Sequence, residues 1–174
     1  MKTKTSHRWG TAGALAGLAL VAAACGGGDD TKTVTAADYS FQNLPKSAST
    51  STQFTLKNSS TKELHEMVAI RIPDNEKRSA QQLMALPESE QDKVFGDPQP
   101  AFVLIAPPNG GQMIKAVGDG KITQKGRYVV ICAIPTGADP QAYLAAAQNS
   151  QGPPDVPGGP PHFTQGMFGE ITVK

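Results

Sequence analysis

Apolar and polar positions alternate along this chain in short runs broken by turn residues. Val34–Phe41 (VTAADYSF) and Thr52–Lys57 (TQFTLK) read as short strands, the second with Phe54 and Leu56 on one face. Asn58-Ser59-Ser60-Thr61 is a turn cluster. Leu64–Ile72 (LHEMVAIRI) reads as a longer strand, with Val68, Ile70 and Ile72 on one face and His65, Met67, Ala69 and Arg71 on the other. Pro73-Asp74-Asn75 opens a helical excursion predicted over Glu76–Leu86 and closed by Pro87, with a further turn of helix over Glu88–Val94. Ala101–Ala106 (AFVLIA) is an apolar strand, Gln112–Val117 a weaker one, and Gly118-Asp119-Gly120 a turn. Tyr128–Ile134 (YVVICAI) is apolar at every position, as in a strand covered on both faces. Asp139-Pro140 supplies an N-cap and a first-turn proline for a helix over Gln141–Gln148. Gln151–Pro161 is a Pro/Gly-rich loop, and Phe168–Val173 is the last strand. Short strands with helical excursions between them predict an antiparallel β-sandwich.

Composition supports that class. With 18 Gly and 14 Pro in 174 residues and only 6% aromatics, the chain is built for turns rather than for a helical bundle. The first 24 residues hold Lys2, Lys4 and Arg8 and no acid; the rest carries 13 basic and 15 acidic residues. No basic face is available for nucleic acid. The basic start followed by the uncharged apolar run Gly10–Ala24 describes an export signal, residues 1–24, too short for a lasting membrane span. Ala22-Ala23-Ala24-Cys25 resembles the lipobox of bacterial lipoproteins, with Ala22 where Leu is usual. The resemblance implies lipid on Cys25, a flexible tether over 25–33 and an exported domain over 34–174. That domain would be held to the outer face of the cell membrane or in the periplasm.

Export also frames the thiol. With Cys25 used for lipid, Cys132 is the single free cysteine of an exported domain, where thiols ordinarily pair. The mature chain has two histidines, His65 and His162, and Met167 follows His162 by five residues. Two imidazoles, a thiolate and a thioether are the ligand set of a blue-copper site. Thiolate and thioether favour Cu(I), imidazole accepts both oxidation states, and a fixed compromise geometry lets an electron move with little rearrangement.

The lines LHEMVAIRI, GRYVVICAIP and PPHFTQGMFGEITVK resemble the cupredoxins, the plastocyanin and azurin family. The likeness spans roughly Val34–Lys174. It implies an all-β, antiparallel Greek-key β-sandwich with short helical insertions, binding one type-1 copper and carrying electrons without acting as an enzyme. Carried over by position, His65 and His162 give imidazole ligands, Cys132 the thiolate and Met167 the weak axial ligand. The resemblance also implies a monomer whose redox partner docks at an apolar rim around His162, made by Pro160, Pro161, Phe163, Met167 and Phe168. Two features depart from the family. Twenty-nine residues separate Cys132 from His162, where a short loop is usual. Glu66 follows the first His where Asn often braces the ligand loops, so that brace is missing or replaced.

Other chemistries fit less well. A Cys132–His nucleophile pair has no supporting motif and lies in an apolar run. Zinc on Cys132, His65 and His162 leaves Met167 without a role. Met67, on the His65 face, is a core residue or a substitute axial ligand. The remaining readings are a metal-free sandwich that binds another protein through 133–161, and a copper carrier or buffer.

Overall fold

The computed structural model describes residues 30–148 and 152–174; the expected export signal over residues 1–24 and Cys25 lie outside them. Among the described residues nine strands form: β1 Thr31–Ala37, β2 Ser40–Gln42, β3 Ser47–Ala48, β4 Gln53–Asn58, β5 His65–Arg71, β6 Phe102–Ala106, β7 Ile114–Val117, β8 Gly126–Ile131 and β9 Phe168–Val173. Three helices interrupt them: α1 Ala80–Met84, α2 Glu88–Phe95 and α3 Pro140–Ala147. β1 starts at Thr31, inside the stretch expected to be tether.

The strands make two sheets, β2-β1-β4 and β3-β9-β8-β5-β6-β7. The sandwich expected from the sequence is present, but its sheets are mixed: β1 pairs with β4 in parallel, and β3 with β9. The other paired strands run antiparallel. Inward alternation builds the core. Val34, Ala36, Phe54 and Leu56 from the smaller sheet meet Met67, Ala69, Phe102, Leu104, Tyr128 and Val130 from the larger. The Phe54 and Phe102 rings touch across the layers at 5.6 Å between centroids.

The apolar run of β8 is explained by a second layer. Tyr128 and Val130 face the main core, whereas Val129 and Ile131 pack outward against Ile70, Ile72, Phe168 and Leu83 of α1. Arg127 fastens this layer: it pairs with Glu170 at 2.7 Å and donates to the Glu76 and Arg78 carbonyls.

Two elements differ from the pattern-based reading. The helix expected from Glu76 begins only at Ala80, because Ser79 and Gln82 form a capping box there. It ends at Met84 because Leu86, preceding Pro87, disfavours helical torsions. The single strand expected over 34–41 is a hairpin broken at Asp38-Tyr39, where Tyr39 takes φ +60°. No Gly or Asn marks that turn in the sequence.

Candidate metal centre

Register brings the site together. β5 pairs with β8 so that Val68 faces Ile131 and β8 pairs with β9 so that Ile131 faces Phe168. Continued along these ladders, Cys132 falls opposite Met167 one step on, and Ala133 falls opposite Glu66 two steps on. The Cys132 N–H accordingly donates to the Met167 carbonyl at 3.1 Å. Cys132 continues the inward face of Tyr128 and Val130, and His65 that of Met67 and Ala69, so both point into one pole of the sandwich. His162 is set from the other side by a 3-10 turn over His162–Gln165, ended by Gly166 at φ +105°.

His65, Cys132 and His162 are all fully buried, and their ligand atoms lie within 4.8 Å of one another. The two Nδ1 atoms are 3.2 Å apart; Cys132 Sγ lies 3.3 Å from His162 Nδ1 and 4.0 Å from His65 Nδ1. Metal–nitrogen bonds near 2.0 Å and a metal–sulfur bond near 2.3 Å, spread evenly around one ion, place such atoms roughly 3.5–3.7 Å apart. The measured triangle brackets that spacing, so the three residues fit one metal ion. The donor types select among metals: a soft thiolate with two imidazoles suits copper over hard cations.

Electrostatics prepare the ligands unequally. Burial, and then the charge of neighbouring His162, push the His65 imidazole down to about 4, and burial lowers His162 as well, so both are neutral at pH 7. Burial and then the Glu66 carboxylate push the Cys132 thiol well above its usual range, so without a metal it keeps its proton. A bound cation reverses that balance, and thiolate formation then releases the proton.

The backbone resolves both departures from the family pattern. The 29-residue connection is pinched shut at its base by a Pro135–Pro161 bridge. Hydrogen bonds from Thr136 N to Pro160 O (3.2 Å), Gly159 N to Thr136 O (2.8 Å), His162 N to Ile134 O (3.0 Å) and Phe163 N to Cys132 O (2.8 Å) reinforce the pinch. A Cβ on Gly158 would meet Pro135 at 2.5 Å, so that residue's lack of a side chain permits the close approach. The ligands therefore sit on a short, stiff frame from which 137–159 branches. The brace is replaced rather than lost. Buried Glu66 accepts the Ala133 N–H at 3.1 Å and the Tyr143 O–H of α3 at 3.0 Å, while its own N–H donates to Cys132 Sγ at 3.4 Å.

Met167 is fully buried beside the ligand backbone, its N–H donating to the His162 carbonyl at 3.1 Å. Met67 lies in the apolar core, paired in register with Leu104. The rim differs from expectation. His162 and Met167 are fully buried, and Phe168 packs in the outer layer. The surface at this pole is made by Pro160, Pro161, Phe163 and Tyr39, whose ring meets His162 edge-on at 5.2 Å. Sequence reasoning missed Tyr39, Tyr143, Asp38 and Glu63. His65 Nε2 lies 3.6 Å from Asp38 Oδ1, and His162 Nε2 3.4 Å from Glu63 Oε2. Nothing in the local sequence marks those four residues as neighbours of the ligands.

No family model and no curated protein matches the chain. Among solved structures it is similar to a dithionite-reduced auracyanin of Roseiflexus castenholzii: 17% identity, 85% of this chain and 99% of that one, TM-score 0.43. It is also similar to auracyanin A of Chloroflexus aurantiacus, described as a "blue" copper protein (13% identity, 83% and 98% covered, TM-score 0.41). A third similar structure is auracyanin B (18% identity, 83% and 88% covered, TM-score 0.34). On its own strand order and ligand geometry, the chain is a β-sandwich of two mixed sheets whose buried His65, Cys132 and His162 can hold one metal ion at a common centre.

Proposed function

We propose that this protein is an exported, lipid-anchored electron carrier holding one type-1 copper. The observation that carries the reading is the convergence of two neutral, buried Nδ1 atoms and one buried Sγ on a common centre. When bound, copper supplies a one-electron Cu(II)/Cu(I) couple. His65 and His162 would hold it through Nδ1 and Cys132 through Sγ after losing its proton, and Met167 would offer its thioether. Full burial of all four side chains excludes water. The pinched loop and the Glu66 brace hold the ligands in place, so a change of oxidation state demands little movement. Such rigidity supports an electron carrier over a metal-exchanging carrier, which needs an open site.

The half-exposed Pro161, Phe163 and Tyr39 form a small, partly apolar surface suited to brief docking of a redox partner. Titration of the protein with Cu(II) tests the centre. One equivalent should bind with an intense blue or green thiolate-to-copper band; a colourless protein that leaves Cu(II) in solution sinks the reading. Lipid on Cys25 places the domain at the outer face of the cell membrane or in the periplasm. Cys25→Ser should then move the protein from the membrane to the soluble fraction, and unchanged membrane association would count against the anchor.

A further inference from the structure

We propose that Asp38 and Glu63 are positioning residues of this centre. Each faces the Nε2–H of one imidazole so that Nδ1 turns to the metal, and their negative charges favour Cu(II) over Cu(I). The inference rests on the copper reading above. Both Nε2 atoms are buried and have no hydrogen-bond partner among the described residues, and one carboxylate lies close to each, 3.6 Å away for Asp38 and 3.4 Å for Glu63. An imidazole that gives Nδ1 to a metal carries its proton on Nε2, and that proton needs an acceptor; carboxylates commonly fill this role and fix the tautomer.

Neither carboxylate arrives by its neighbourhood in sequence. Glu63 Oε2 is steered by the Gly137 N–H at 3.1 Å, donated from the start of the long Cys132-to-His162 connection. Asp38 stands in the turn between β1 and β2, beside Tyr39 at φ +60°. An aromatic residue keeps that backbone conformation only where its surroundings hold it. The same turn lays the Tyr39 ring on His162 and Asp38 beside His65. The outer edges of both rings are thereby closed by two anions and one aromatic face.

Oxidation adds one positive charge at the metal, part of it carried on the rings. A fixed anion next to each ring stabilises the more positive state. Glu63 acts more strongly, because its side chain is 17% exposed whereas that of Asp38 is 60% exposed and screened by water.

Chelator competition on the full chain, run separately for Cu(II) and Cu(I), tests this. Glu63→Gln and Asp38→Asn keep an acceptor oxygen and remove the charge. Glu63→Gln should lower Cu(II) affinity relative to Cu(I) roughly tenfold, a rise of about 59 mV in a one-electron potential. Asp38→Asn should shift the ratio in the same direction, roughly threefold at low salt and less at high salt. Equal losses for both oxidation states would reduce the carboxylates to structural props and overturn the proposal, as would an unchanged ratio. Unfolding of the metal-free variants at the wild-type temperature certifies that the fold is intact. Wild-type protein that takes no copper would instead defeat the copper reading itself, a result distinct from either.

Discussion

Cys132→Ser should abolish the visible thiolate-to-copper band outright and leave a nearly colourless Cu(II) complex on His65 and His162. The band needs a sulfur lone pair on the metal, and a serine hydroxyl neither ionises near neutral pH nor matches a soft cation. Cu(I) affinity should fall by more than the roughly 10- to 100-fold that follows loss of an outer-sphere partner. The fold should survive. Cys132 is a small, fully buried side chain whose Sγ makes weak contacts with the Glu66 N–H and the His162 ring, and Cys132→Ala keeps the site apolar. Metal-free Cys132→Ala should therefore unfold close to the wild type in urea while giving no band. An intense band persisting in either variant would refute the ligand assignment.

The second large effect concerns Glu66. Burial pushes its carboxyl up to about 7, against the pull of the hydrogen bonds from Tyr143 and Ala133. A carboxyl that holds its proton more tightly when folded than when unfolded binds more protons in the native state between its ordinary value and about 7. Metal-free stability contributed by this group is therefore full at low pH and lost as pH rises through that window. His65, pushed down to about 4, works with the opposite sign: its contribution is lost as pH falls from the usual imidazole range through 4.

Glu66→Gln preserves the shape and removes only the carboxyl's titration. At pH 8 it should stabilise the metal-free protein by roughly 2–3 kcal/mol, and at pH 5 by little. Glu66→Ala leaves the Ala133 N–H and the Tyr143 O–H buried without their acceptor, and should cost about 3 kcal/mol at pH 5. Urea unfolding of the three proteins across pH 5–8 separates these effects. Parallel pH slopes for wild type and Glu66→Gln would show that Glu66 is not the titrating group.

Much of this was readable before any fold was known. The alternation in Thr52–Lys57 and Leu64–Ile72, the unbroken apolar run at Tyr128–Ile134 and the Asp139-Pro140 cap each found their element within a few residues. Alternation and caps are local properties that a one-dimensional pattern records. The hairpin at Asp38-Tyr39 was not readable, because its positive φ falls on a tyrosine and is imposed by packing against His162. Strands of two or three residues, Ser40–Gln42 and Ser47–Ala48, are too short to show a period.

The candidate ligands divide along the same line. Scarcity, together with residue order and the H-x4-M spacing, singled out His65, Cys132, His162 and Met167, since two histidines and one thiol beyond Cys25 offer few other ways to build a soft metal site. Their residue types determine which metal chemistry is open to the protein. That their ligand atoms converge was decided in three dimensions, by ladder register that sets Glu66 opposite Ala133 and Met167 opposite Cys132. The groups around the ligands also depended wholly on tertiary structure. Asp38, Tyr39 and Tyr143 reach the site across long sequence separations, and Glu63, two residues from His65, faces the sequence-distant His162 instead. Side-chain chemistry is carried by each residue alone and can be read in one dimension. The surroundings that set a ligand's charge, tautomer and rigidity arise from long-range contacts, and those exist only once the chain has closed on itself.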